Sequence, residues 1–214
     1  MSDTDKRIAW LQQRLAQPLP GLRAQELMMG RVVNVPVNIP DNARPSAVLC
    51  LLFPVGGALT VLLMKRREDK GAHSGQVSFP GGRYEPTDSD LKTTALREAQ
   101  EEVGIMSRDV TILGALTSLY IPVSNFNVYP YVGYAAQRPE YNLSHNEVSY
   151  TIEVPLDELL HAERKVQTEV ISPAFPDIKR EVKAYRLADG TIIWGATAMI
   201  ISELEVVLSD YQRP

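Results

Sequence analysis

From Ala47 to Met64 the chain reads AVLCLLFPVGGALTVLLM, eighteen residues without a charge. Such a run is close to the length that crosses a bilayer as a helix. Its centre, Pro54, Val55, Gly56 and Gly57, is a turn signal, and the two halves are of strand length and rich in β-formers. The run therefore predicts two buried strands joined by a turn. Strands without polar alternation are covered on both faces, so helices must pack above and below the sheet they belong to.

The surrounding chain supplies those helices. A helix is predicted from Asp5 to Gln17, then a Pro-rich extended segment from Pro18 to Pro45, so that residues 1–45 form an N-terminal helix and arm ahead of a domain over 46–214. Strands are expected at Ala47 to Phe53, Leu59 to Arg66 and Gln76 to Phe79. After the Gly81-Gly82 pair comes a helix near Ser89 to Val103, with Asp88, Ser89 and Asp90 as candidate caps. Further strands are read at Val110 to Tyr120, Asn127 to Ala136, Glu147 to Val154, Lys165 to Ile171, Val182 to Leu187 and Thr191 to Trp194. Pro155 opens a short helix, and a last helix runs from Ala196 to about Leu208. This is an α/β (α+β) pattern with a mixed sheet between helices.

The helix at 89–103 raises an electrostatic question. Leu91, Ala95, Ala99 and Val103 form its apolar stripe. Glu98, Glu101 and Glu102 lie three and four apart on another face, where like charges repel. Arg97, four residues before Glu101, offsets part of that charge. Taken alone, three glutamates read as a solvated acidic face. A hard divalent cation is the other solution, because Mg²⁺ is held by a few carboxylates together with phosphate oxygens. The net charge of −4 argues against an extended nucleic-acid or anionic-membrane surface, so an anionic ligand must be met locally. The single cysteine, Cys50, sits in the apolar run and reads as a buried thiol. The N-terminal stretch is charged, then amphipathic, and lacks the apolar core of a signal peptide, which predicts a cytoplasmic protein.

The order strand, Gly-Gly, loop and REAQEEVGI resembles the signature of the Nudix hydrolases. Arg97, Glu98, Glu101, Glu102, Gly104 and Ile105 occupy its fixed positions after Gly82. The Gly82-to-Arg97 segment is one residue longer than the general pattern, so Asp88 takes the early acidic place only if the loop bulges. The resemblance implies an α/β/α sandwich and metal-dependent hydrolysis of a diphosphate. Upstream, LLMKRREDKGAHSGQVSFPGG resembles the additional motif of the coenzyme A pyrophosphatases at Leu62, Leu63, Arg66, Gly75 and Phe79 to Gly82. It departs at Met64, Arg67 and Gly71, where Arg67 and Lys70 are candidate substitutes for the missing positive charge. The longer box and IIWGATAMII at the C-terminal end resemble the same branch.

The implied metal ligands are Glu98 and Glu102 for Mg²⁺ or Mn²⁺, with Glu101 as a third ligand or as the acceptor of the water proton. Arg97 is implied to orient the cluster. Glu147 stands where related proteins place a downstream acidic residue, although alone it would read as a surface glutamate. Arg66 and Arg67 are the expected phosphate contacts, with Gly81 and Gly82 admitting the phosphates. His73 either binds a phosphate or fixes its turn, and Trp194 beside Gly195 reads first as core. The implied substrate is coenzyme A or acyl-coenzyme A, cleaved to 3',5'-ADP and 4'-phosphopantetheine. ADP-ribose, a nucleotide sugar or a non-catalytic nucleotide sensor are the alternatives. No nucleic-acid or membrane partner is expected, and a homodimer is left open.

Overall fold

The computed structural model describes residues 3–29, 39–69, 71, 73–171, 175 and 177–211. The apolar run folds as the expected hairpin. Strand β1 (Arg44–Val55) and β2 (Ala58–Arg66) pair antiparallel with Val55 opposite Ala58. The loop between them is Gly56-Gly57, both with positive φ (56° and 86°), the backbone that a two-residue hairpin needs and that glycine adopts without strain. Pro54 and Val55, expected in the turn, instead finish β1.

Among the described residues, β1, β2 and nine further strands divide between two sheets. After β3 (Val77–Ser78) and β4 (Gly81–Arg83) come helix α3 (Leu91–Val103) and then the strands β5 (Thr111–Ala115), β6 (Leu119–Ile121), β7 (Phe126–Tyr134) and β8 (Val148–Pro155), the last running into the short helix α4 (Leu156–Leu159) expected after Pro155. These eight strands make one mixed sheet with the path β3-β2-β1-β7-β5, to which β4, β6 and β8 attach at β1, β7 and β2. Among the described residues only β1 and β7 run parallel, from Arg44 opposite Phe126 to Leu52 opposite Tyr134. A separate three-stranded sheet holds β9 (Lys165–Ile171), β10 (Lys179–Arg186) and β11 (Ile192–Trp194).

Both faces of the central strands are buried, as the lack of alternation requires. On one face Ala47, Leu49, Leu51, Phe53, Leu62 and Met64 pack with Ala95, Ala99 and Val103 of α3 (Leu91–Val103). On the other, Cys50, Leu52, Val61 and Leu63 share a core with Leu11 and Leu15 of α1 (Asp3–Leu15) and Ile201 and Leu204 of α5 (Gly195–Ser209). The result is an α/β/α sandwich. No helix among the described residues is long and apolar enough to cross a membrane.

Two expectations change. Residues from Pro18 on were expected to be extended, yet the described part folds into α2 (Leu22–Gln25) and a 3-10 turn at Glu26–Met28, with Ala24, Gln25 and Met28 buried. Residues 30–38 of that segment lie outside the described residues. The single strand expected at Val110 to Tyr120 is split into β5 and β6. The cause is Glu203 on α5, which is fully buried. Its carboxylate accepts from the Thr117 hydroxyl at 2.6 Å and from the Thr117 N–H, pulling that residue out of the ladder. The same carboxylate accepts from the Gly21 N–H and the Gln25 side chain, which also donates to the Thr117 carbonyl. One buried carboxylate thus joins the N-terminal segment, the β5–β6 connection and α5.

Glu203→Ala would leave several buried donors without an acceptor. It should lower unfolding free energy by about 3 kcal/mol or more, measured by urea denaturation.

Candidate active site

The glycine pair lies in β4 and is laid against β1, with Gly82 opposite Ala47 and Gly81 opposite Val48. No Cβ fits at either position: at Gly81 it would strike the Ala47 carbonyl, and at Gly82 the Glu98 carboxylate. The contact of glycine backbone with α3 is what admits Glu98 and Glu102 to the end of the sheet. Asp90 caps α3 by accepting from the Thr93 N–H at 2.7 Å, which settles the choice among the three candidate caps.

Arg97 organises the acidic face. Its guanidinium donates to both Asp88 oxygens at 2.9 and 3.0 Å, to Glu98 at 3.0 Å, to Glu101 at 2.9 Å and to the Arg83 carbonyl at 3.0 Å. Asp88 also accepts from the Glu85 N–H and the Thr94 hydroxyl, so the longer loop bulges and delivers Asp88 to Arg97. The Arg97 hydrogen bonds hold the Asp88 carboxyl down at about 2. Glu102 is 2 % exposed and accepts from the Gly81 N–H at 2.8 Å and from Arg66 at 3.2 Å. Burial pushes its carboxyl up to about 7 against those two partners, and the nearby charges of Glu98 and Glu147 push the same way. Glu98 is also raised, by burial first, with Arg97 opposing and Glu101 and Glu147 adding.

The structure therefore brings together Arg97, Glu98, Glu101, Glu102, Gly81, Gly82 and Arg66, with the exposed Glu147 close enough to perturb two of the carboxylates. No three acidic, histidine or cysteine side chains among the described residues are already gathered as a ligating cage. Glu98 and Glu101 lean on Arg97, and Glu102 on Gly81 and Arg66. The donor set nevertheless fits a divalent cation: oxygen donors, crowded, desolvated and short of positive charge.

Beside the carboxylates opens a cavity of about 400 Å³ that sequence reasoning missed. Arg66, His73, Gly81 and Gly82 face it, and Val48, Ile121, Phe126, Phe175, Trp194 and Ile200 supply apolar wall, with Arg180 alongside. These wall residues come from both sheets and α5, so no local spacing marks them. Trp194 is half-buried on this wall rather than in the core. His73 pairs with Gln76 at 3.3 Å, and burial pushes its imidazole below the ordinary value. Arg67 stands apart from the cavity lining. It is exposed, and its guanidinium donates to the His145 carbonyl at 2.6 Å while its N–H donates to the Glu147 carbonyl. It thus braces the segment that carries Glu147. Lys70, the other candidate substitute, lies outside the described residues.

Residues 43–175, more than half of the chain, match the NUDIX domain. The chain belongs to the Nudix family. This Nudix hydrolase is 39% identical over 184 residues to "Uncharacterized Nudix hydrolase NudL" of Pectobacterium atrosepticum, covering 81% of this chain and 91% of that protein. Its fold is similar to a Nudix hydrolase from Alicyclobacillus acidocaldarius, with a TM-score of 0.54 and 16% identity over 81% of this chain and 98% of that one. It is also similar to the Nudix hydrolase RenU from M. smegmatis, with a TM-score of 0.52 and 17% identity over 79% and 88%.

Two outcomes follow from this geometry. Asp88→Asn should lower stability by about 2 kcal/mol at neutral pH. Because the native carboxyl lies below its ordinary value of 3.8, the deficit should shrink as pH falls from about 4 toward 2, seen by urea denaturation across pH. Separately, Mg²⁺ or Mn²⁺ should raise the melting temperature of the wild type, and Glu102→Gln should abolish that gain without lowering the melting temperature measured without metal.

Proposed function

We propose that this Nudix hydrolase cleaves the diphosphate of coenzyme A and acyl-coenzyme A, giving 3',5'-ADP and (acyl-)4'-phosphopantetheine. The observation that carries the reading is the position of the upstream motif. Arg66, His73, Phe79, Gly81 and Gly82 from that stretch all line one cavity with apolar walls, and Arg66 and Gly81 of that lining are hydrogen-bonded to Glu102. A diphosphate placed at Gly81 and Gly82 leaves room along these walls for one of its two substituents. The three departures, Met64, Arg67 and Gly71, lie outside the cavity lining, whereas Arg66 is part of it.

Glu98 and Glu102 are the side chains that would hold Mg²⁺ or Mn²⁺, with Glu101 or Glu147 completing the set. When bound, the cation neutralises phosphoryl oxygens and lowers the pKa of the attacking water. The chain's own residues do the positioning. The Gly81 N–H and Arg66 fix Glu102, and Arg97 fixes Glu98 and Glu101 in one plane of hydrogen bonds. Water adds to one phosphorus, the bond from that phosphorus to the bridging oxygen breaks, and the water proton passes to Glu101 or Glu147. Both are exposed, so the acquired proton can leave to solvent.

Incubation with Mg²⁺ or Mn²⁺ and chromatography of the products should show 3',5'-ADP with 4'-phosphopantetheine. Intact coenzyme A and acyl-coenzyme A alongside cleaved ADP-ribose or nucleotide sugar would reject the substrate assignment. Affinity of the metal-free protein for Mg²⁺ or Mn²⁺ should rise with pH through about 7, where burial delays ionisation of Glu102 and protons compete with the cation, measured by metal titration at several pH values. Glu98→Gln or Glu102→Gln should lower kcat on the order of a thousandfold while the protein remains folded.

A further inference from the structure

Of the cationic side chains on the cavity wall, Arg66 is committed to Glu102. Arg180 is the other arginine there, and among the described residues it has no carboxylate partner; its guanidinium instead lies 4.1 Å over the ring of Phe175. On the neighbouring strands Lys165 pairs with Glu205 at 2.6 Å and Lys179 with Glu169 at 3.6 Å, and Lys183, an odd number of residues from Arg180, falls on the opposite face of β10. An arginine held flat against an aromatic ring keeps its in-plane N–H groups for an anion, and those groups match phosphate in a fork.

Strand geometry explains why Arg180 faces this cavity. On β10, Arg180 shares a face with Val182 and Ala184, because side chains alternate along a strand. Ala184 is paired with Trp194 of β11, whose side chain also lines the cavity. Arg180 and Trp194 therefore look into the same space from one face of the small sheet, about 13 Å apart along the strand. The carboxylates belong to the large sheet and α3. The cavity thus joins a diphosphate site on one element set to a separate cation on another, with the flat faces of Phe175 and Trp194 beside it.

We infer that Arg180, braced on Phe175, binds a second anionic group of the substrate, and that this group is the 3'-phosphate of coenzyme A. The assignment rests on the coenzyme A reading and replaces Arg67, which the fold turns outward to the His145 carbonyl. The Trp194 ring, farther along the same wall, is a flat surface suited to the adenine attached to the same ribose.

The test compares kcat/KM of the full chain for coenzyme A and 3'-dephospho-coenzyme A, with Mn²⁺, in the wild type and in Arg180→Ala, Arg180→Lys and Arg67→Ala. The wild type should prefer coenzyme A. Arg180→Ala should cut that preference by about 10- to 100-fold, mainly through KM, the loss expected for one charge-assisted contact. Arg180→Lys should keep part of the preference and Arg67→Ala all of it. Unchanged preference in Arg180→Ala, equal losses on both substrates, or a wild type indifferent to the 3'-phosphate would each overturn the inference. Failure of the substrate reading looks different: the wild type itself would leave both coenzyme A forms intact while hydrolysing ADP-ribose.

Discussion

The guanidinium of Arg97 is the contact on which the site depends. It ties the loop after β4, through Asp88 and the Arg83 carbonyl, to the helix that carries the carboxylates. Without it, Glu98 and Glu101 would face each other across a helical turn with nothing between them. Even with it the balance is incomplete. Asp88, Glu98, Glu101, Glu102 and Glu147 are five carboxyls against two guanidiniums, those of Arg97 and Arg66. The chain tolerates this deficit by burying Glu102 with its carboxyl shifted toward neutrality, at a place where a hydrogen-bond donor on β4 already fixes its direction. Burial raises both Glu98 and Glu102, the direction expected of the carboxyls proposed to receive a cation.

What could be read in the sequence followed from spacing along the chain. The hairpin, the apolar stripe of α3 and the crowding of Glu98, Glu101 and Glu102 are all consequences of period and composition, and the structure contains each of them. What could not be read depends on contacts across the chain. The break between β5 and β6 needs Glu203, 86 residues beyond Thr117. The outward turn of Arg67 needs the carbonyl of His145, and the cavity wall needs Phe126, Trp194 and Arg180, which no local pattern groups. Asp88 is an intermediate case: its type and approximate place were legible, but its hold on Arg97 required the bulged loop.

Both sheets contribute to the cavity wall. The large sheet, with one parallel pair at its centre and helices on both faces, fixes the Gly81-Gly82 strand against β1 so closely that no side chain fits between them and α3. The small sheet contributes β11, whose last residue, Trp194, passes directly into α5. That passage puts the first turn of α5 on the cavity wall, and the Thr197 hydroxyl locks it by donating to the Val77 carbonyl of β3. On the proposed reading, chemistry and recognition rest on separate elements, and β3, β4 and α5 meet at the cavity.

The sole cysteine carries a different consequence. Cys50 is fully buried in β1, the central strand, and burial pushes its thiol far above the ordinary range. In the folded chain it is therefore shielded from oxidants and alkylating reagents alike. A thiol probe added to the protein reports only those moments when the central sheet opens, so its labelling rate is a clock for global unfolding, with no engineered reporter needed.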